Sequence, residues 1–123
     1  MRGRTKVDMT DTLFSKYVRL LEGGYCRVCK KYFGLTQGLH VHHYKSRGKR
    51  SVRWDRDNAC ALCTYDHFKI QHNEAANTEL FLNILGQERF EALLIRAETL
   101  HKYTKEEIKA IRKDLRTKIA SLE

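Results

Sequence analysis

The stretch that decides the fold of this chain is residues 58–67, Asn58-Ala59-Cys60-Ala61-Leu62-Cys63-Thr64-Tyr65-Asp66-His67. It contains one Cys-x-x-Cys pair, Cys60 and Cys63. A second pair, Cys26 and Cys29, lies upstream and is separated from the first by thirty residues. Between the pairs lies the run Val41-His42-His43-Tyr44. Thiolates at this spacing are typical ligands of structural zinc, and imidazoles can hold and use a second divalent ion. The sequence therefore predicts two unlike metal centres, one structural and one catalytic.

The composition favours one globular domain in a reducing compartment. A chain of 123 residues can bury roughly two-thirds of its unfolded surface. No apolar run approaches the roughly 18 residues of a membrane span, and Met1-Arg2-Gly3-Arg4 leads into no hydrophobic signal segment. We therefore expect a cytoplasmic protein with no membrane partner. In that compartment, paired cysteines indicate metal ligands rather than disulfides.

The charge is unevenly distributed along the chain. Residues 1–58 carry fourteen Lys and Arg against five Asp and Glu, whereas residues 59–123 carry ten of each. The whole net charge of +9 thus lies in the half with the first Cys pair and the histidine run. This asymmetry favours a polyanionic partner, with a basic tail and a solubilising face as the alternative.

The apolar periodicity predicts the elements of the N-terminal half. A helix is predicted over 8–22 and a hairpin over 25–33 with the first Cys pair at its turn. Residues 39–43 alternate as a short strand does, and residues 59–70 are predicted as a helix. The intervening loop, residues 44–53, holds five cations and no acid.

The predicted fold class is α+β and mostly helical, in a single domain over 1–123. A zinc-braced ββα core over 25–75 is followed by a helical C-terminal extension over 77–123. In that extension Asn77 or Thr78 can cap a helix that ends at Gly86, and Thr104-Lys105-Glu106-Glu107 forms a capping box for the last helix. The apolar stripes of these helices are predicted to form the core with the first helix.

The histidines carry the chemistry of the predicted catalytic centre. His42 and His43 are adjacent on a predicted strand, so they point to opposite faces and have different roles. One can share a metal ion with His67 while the other faces the substrate. A neutral imidazole is a competent base near pH 7 and a good ligand for divalent ions. We predict structural or solvated roles for His40 and His101, and either phosphate contact or helix packing for His72.

The arrangement around these histidines resembles an HNH endonuclease of the ββα-metal type, whose zinc-knuckle form is treble-clef-like. The resemblance implies that His43 is the general base, that Asn58 orients it, and that His42 and His67 hold the catalytic Mg²⁺ or Mn²⁺ ion. Position 42 is His where many relatives carry Asp, which favours imidazole-tolerant ions such as Mn²⁺ or Ni²⁺.

A closer resemblance is to phage recombination proteins of the NinG/Rap type. It is carried by Leu13 to Arg19, the first Cys pair, residues 43–48, residues 53–58, and the tail from Tyr103 through Arg116 to Leu122. The chain is similar also to junction-resolving phage nucleases of the endonuclease VII type. These resemblances imply action on branched DNA, such as Holliday junctions, D-loops and forks, in a phage-infected or prophage-carrying bacterium, alongside phage or host recombination proteins.

The fourth zinc ligand is left open between two residues. The common HNH pattern places a His directly after the second Cys of its register, but this chain has Asp66 before His67. Cys26, Cys29 and Cys63 are therefore completed by either Cys60 or Asp66, and Cys60 is preferred because thiolate is the softer ligand.

Binding and assembly follow from charge and from the substrate. The DNA backbone is predicted to lie on five cations of the basic loop, namely Lys45, Arg47, Lys49, Arg50 and Arg53. A homodimer is compatible with the two nicks that resolving a junction takes, although an apolar helix stripe is more often core. Two rival functions remain: a zinc-dependent nucleic-acid-binding module without catalysis, and a homing-type or packaging-type HNH nuclease that acts on linear duplex.

Overall fold

A computed structural model describes residues 6–123 of the chain as a mostly helical α+β fold with a small two-stranded sheet. Short 3₁₀ turns at Arg50–Val52 and Arg56–Asn58 lie between the strands. The helices and strands are α1 (Met9–Leu21), β1 (Leu39–His43), β2 (Ala59–Cys63), α2 (Thr64–Gln71), α3 (Glu74–Leu85), α4 (Gln87–Glu98) and α5 (Lys105–Leu122). Among the described residues, no helix combines the length and apolar character needed to cross a bilayer.

The two strands pair antiparallel in a register that aligns the histidines with the second Cys pair. His42 lies opposite Cys60, and His43 lies opposite Ala59. The strand predicted at 39–43 is confirmed, but the helix predicted over 59–70 is wrong for its first five residues, which form β2. All five residues of β2 are buried. A short, continuously apolar run suits a buried strand as well as a helix, and pairing with β1 decides between them.

The first Cys pair lies in a hairpin turn, as predicted. Tyr25 and Tyr32 form a β-bridge, and the Phe33 amide donates to the Gly24 carbonyl at 2.8 Å. Gly24 has a φ of +84°, and a Cβ there would come within 2.6 Å of the Tyr32 ring. Glycine is therefore required where the two arms of the hairpin approach each other.

The helix ends follow local capping rules, with one difference from the sequence prediction. The capping box of Thr104 and Glu107 opens α5, and Gly86 ends α3, both as predicted. However, α3 begins at Glu74, because the Asn73 side chain accepts the Ala76 amide at 3.0 Å. The predicted cap Asn77 lies inside the helix, where its side chain contacts His42.

The core joins the N-terminal helix to the last three helices across the sheet, as the apolar stripes predicted. Phe14 and Val18 of α1 are buried with apolar side chains of the sheet and of the C-terminal helices. The buried members of these later elements include Leu39, Leu62, Phe81, Leu93, Leu115 and Ile119.

A buried ion pair ties α1 to the end of the basic loop. The Arg53 guanidinium donates from Nε to Asp11 at 3.0 Å, and the Trp54 indole donates to the same carboxylate at 2.9 Å. Burial alone would raise the pKa of Asp11, but hydrogen bonds from Arg53, the Asp8 amide and Trp54 hold it below its ordinary value. The predicted DNA contact by Arg53 is wrong, since its side chain is buried against Asp11.

Replacing Asp11 by Asn should lower the free energy of unfolding by about 3 kcal/mol at pH 7, because Arg53 would remain buried without its counter-charge. The carboxylate has a lowered pKa, so its contribution is present above about pH 4 and is lost as the pH falls through the folded-state value. Denaturant unfolding of both proteins at neutral and acid pH measures this difference, which should shrink in acid.

Asp114→Asn is the matched control for this prediction. It removes an exposed ion pair with Lys118 on α5 and should change stability by less than about 0.5 kcal/mol. Equal losses in the two variants would show that the buried pair has no special role.

Candidate metal cluster and histidine groove

Four potential metal ligands converge where the hairpin meets the start of α2. Ligand atoms of Cys26, Cys29, Cys63 and Asp66 all lie within 4.8 Å of one another. The first two come from the hairpin turn, Cys63 ends β2, and Asp66 lies in the first turn of α2. In the part of the chain that the structure describes, this is the one group of three or more such atoms.

The donor set fits a structural zinc ion. The thiols of Cys26 and Cys63 each donate to Asp66 Oδ2 at 3.2 Å, and the Cys29 sulfur lies within 4.8 Å of the same ligand atoms. Burial raises the pKa of the Cys63 thiol to about 12. A bound zinc ion reverses this preference, because it coordinates the thiolate directly. Three sulfurs and one oxygen supply the four ligands of a closed tetrahedral site.

The structure replaces Cys60 by Asp66 as the fourth member of the cluster. Cys60 and Cys63 are three residues apart on one strand, and side chains at odd separations point to opposite faces. Cys60 is instead fully buried opposite His42, where burial raises the pKa of its thiol. Asp66 lies three residues beyond Cys63 on the first turn of α2, and this spacing returns it to the side of Cys63.

The structure brings His42 and His67 together, as predicted. Their ring centroids are 5.3 Å apart, and His42 Nε2 lies 2.8 Å from Asn77 Oδ1 on α3. Burial lowers the pKa of both histidines, that of His67 to about 4. The two rings are therefore neutral near pH 7, which is the protonation state that binds metal ions.

His40 joins this pair, a role that the sequence prediction missed. Its ring stacks on His67 with centroids 5.1 Å apart, and its Nε2 lies 3.0 Å from the Thr64 hydroxyl. The signal was present in the sequence, because residues two apart on a strand share a face and His40 precedes His42 by two.

His43 points to the other face of β1, as predicted, and its ring lies 5.8 Å from that of Phe14. Its Nε2 lies 3.1 Å from the Arg53 carbonyl oxygen. A carbonyl only accepts, so Nε2 carries the proton and Nδ1 keeps a lone pair. Burial lowers the pKa of His43 to about 4. His43 is thus a neutral imidazole with a defined tautomer.

Asn58 acts on the loop rather than on the ring of His43. Its side chain donates to the carbonyls of Lys45 at 2.8 Å and Val52 at 3.1 Å, and it accepts the Lys45 amide at 2.8 Å. Through these bonds Asn58, which directly precedes β2, joins the two ends of the basic loop. The ring of His43, which Asn58 is predicted to orient, contacts the Arg53 carbonyl, and Arg53 directly follows Val52 in the loop that Asn58 closes.

A groove of about 400 Å³ opens beside His43, and its lining does not include His42 or Asn58. His43, His40 and His67 line it together with Arg19 and Arg47. On the adjoining loop Lys45 is half-buried, while Lys49 and Arg50 are exposed. Four of the five predicted DNA contacts therefore keep at least partial access to solvent.

The remaining histidines lie away from this groove. His72 is exposed, and its Nδ1 lies 2.8 Å from the Phe68 carbonyl of its own helix. His101 pairs with Glu107 at 3.1 Å near the start of α5.

The molecule thus combines a thiol–carboxylate cluster suited to zinc with a basic groove lined by imidazoles. The sequence model of the family described as the bacteriophage lambda NinG protein matches residues 4–123. The chain therefore belongs to the NinG family, which indicates a recombination-related phage protein. No curated protein and no solved structure matches the chain.

Cys63→Ala should abolish the binding of about one zinc ion per chain, because it removes one of three sulfurs from the cluster. Cys60→Ala is the matched control, since it deletes an equally small buried thiol outside the cluster. Metal analysis after gel filtration measures both variants. Loss of zinc from Cys60→Ala with retention in Asp66→Asn would return Cys60 to the ligand set.

Proposed function

We propose that this chain is a metal-dependent HNH-type endonuclease that hydrolyses DNA phosphodiester bonds in branched recombination intermediates. The observation that most supports this proposal is the state of His43, a neutral imidazole that lines a basic groove. Its Nε2 proton is donated to the Arg53 carbonyl, so its Nδ1 lone pair is left as an acceptor. Membership of the NinG family supports the recombination context. The place of action would be the cytoplasm of a phage-infected or prophage-carrying bacterium.

The order of the elements supports this class. His42 and His43 end β1, Asn58 directly precedes β2, and His67 lies on the helix that follows it. This order of strand, loop, strand and helix matches the sequence in which an HNH motif presents its residues. The ββα unit is therefore built from residues 39–71. The hairpin at 25–33 supplies Cys26 and Cys29 of the metal cluster.

His43 would act as the general base. Its lone pair on Nδ1 can accept a proton from water, and the positive charge that then develops on the ring is stabilised by the Arg53 carbonyl at Nε2. Asn58 would be a positioning residue, because its three hydrogen bonds hold the segment that carries this carbonyl. The Phe14 ring packs beside that of His43, with centroids 5.8 Å apart.

His42 and His67 would hold the catalytic divalent ion. The fit rests on two neutral imidazoles whose rings lie 5.3 Å apart, with Asn77 fixing the Nε2 side of His42. When bound there, the ion supplies positive charge for the phosphate and the leaving oxygen. A site built from imidazoles favours Mn²⁺ or Ni²⁺ over Mg²⁺, which prefers oxygen ligands.

The basic loop would hold the DNA backbone beside this site. Lys45, Arg47, Lys49 and Arg50 can neutralise phosphates, and such contacts carry no sequence information. Asn58 shapes the loop by closing its ends. Contacts of this kind do not select a base sequence.

Replacing His43 by Ala should reduce DNA cleavage by about 10²- to 10⁴-fold, the usual contribution of a positioned base. Zinc content and DNA affinity should stay near those of the native protein. A cleavage assay with added Mn²⁺ or Mg²⁺, combined with fluorescence anisotropy and metal analysis, measures all three.

His72→Ala is the matched control, because it removes an exposed imidazole outside the groove. Undiminished cutting by His43→Ala would remove His43 from the role of base. Salt-sensitive DNA binding without cleavage under any divalent ion would favour the non-catalytic zinc module instead.

The substrate class can be tested with one comparison. A four-way junction, a fork and a plain duplex of equal length should be cut in decreasing order of rate, because the proposed substrates are branched recombination intermediates. Cleavage of the plain duplex at an equal rate would favour a nuclease of the homing or packaging type.

A further inference from the structure

A second groove adjoins the histidine groove across the basic loop. It has a volume of about 680 Å³, against about 400 Å³ for the first. One wall is formed by Ser46 and residues 48–51 of the loop, and the other by residues 97–102, at the end of α4 and in its connection to α5. Arg47 lines the histidine groove instead. The basic loop is therefore a wall shared by two neighbouring grooves.

The two walls of this second groove are attached to each other. The Ser51 hydroxyl donates to the Arg96 carbonyl at 2.7 Å, and the Tyr103 hydroxyl donates to the Ser51 carbonyl at 3.3 Å. The rings of Tyr103 and Trp54 lie 5.1 Å apart. These contacts hold the segment between α4 and α5 at a fixed distance from the loop, so the groove has a defined width.

The walls carry three cations and one carboxylate, that of Glu98. Lys49, Arg50 and Lys102 lie on them, and within residues 6–123 none of the three forms an ion pair. By contrast, the arginines of α4 are neutralised, with Arg96 bound to Asp55 at 2.7 Å. A groove with unpaired cations on both walls is complementary to a phosphate backbone.

Leu100 is the exposed apolar residue of this groove. Its side chain is 98% exposed, although leucine is normally buried. It lies on the same wall as Lys102, two residues away. An aliphatic side chain among phosphate-binding cations matches the pattern by which proteins insert apolar groups at unstacked base steps.

We propose that the groove between residues 46–51 and 97–102 is a second DNA-binding subsite. It would receive the backbone of a strand that leaves the histidine groove, with Leu100 packed on an unstacked base at the branch. This inference rests on the proposed function, since it extends the DNA path from the cutting site. It assigns a role in DNA recognition to the connection between α4 and α5, outside the basic loop.

Lys102→Gln tests the phosphate contact. Fluorescence anisotropy with a labelled four-way junction, without added divalent ion, should show an affinity about 3- to 10-fold lower near 0.1 M salt. The slope of log affinity against log salt should decrease by about one. Lys113→Gln removes an exposed cation of α5 outside the groove and should leave both quantities unchanged.

Leu100→Ala tests the base contact. Junctions with 2-aminopurine beside the branch should become more fluorescent when the native protein binds, because the base unstacks. The variant should lose most of this increase. Ile95→Ala is the control, because Ile95 is 71% exposed on α4 but does not line the groove.

Three results would overturn the inference. If Lys102→Gln keeps the native affinity and salt slope, the groove is excluded from the DNA path. If the mass of that variant in sedimentation changes, the groove is assigned to contact with a second copy of the chain. A fluorescence increase retained by Leu100→Ala would remove the wedge role. The proposed function fails separately, when the native protein does not cleave any of the substrates.

Discussion

The pairing of β1 with β2 is the constraint on which the rest of the site depends. Side chains alternate along a strand, so a shift of one residue would exchange the faces of His42 and His43. In the observed register His42 faces α3 and His67, while His43 faces α1 and the Arg53 carbonyl. The different surroundings of the two adjacent imidazoles are a consequence of this register.

Three further contacts maintain that register. The thiol–carboxylate cluster joins the hairpin to the junction of β2 and α2, so it sets where His67 lies relative to β1. Asn58 closes the loop between the strands, and the Asp11–Arg53 pair anchors the end of that loop to α1. Each contact brings together residues distant in sequence, which gives a small sheet the support that two strands alone lack.

Much of the local structure could be predicted from residue patterns. The Thr104 cap, the stop at Gly86 and the strand at 39–43 follow short-range rules that depend on a few neighbouring residues. The error at residues 59–63 has a different origin. Its apolar run has no period that separates strand from helix, and only the partner strand resolves the choice. The DNA contact predicted for Arg53 and the zinc ligation predicted for Cys60 differ from the structure for the same reason, because residue type does not specify which neighbour a side chain contacts.

The sequence by itself determined the chemistry available to this protein: soft ligands in pairs, adjacent imidazoles, and a cationic loop with no acid. It also indicated the family, because the spacing of motif residues can be compared from the sequence alone. The tertiary structure decided which groups cooperate. It placed Asp66 rather than Cys60 in the metal cluster, and it showed that a backbone carbonyl contacts the ring of His43. It also added His40 to the histidine group and placed residues 97–102 beside the loop. Spacing along a chain limits which ligands are present, whereas strand alternation and helix packing determine which atoms come within bonding distance.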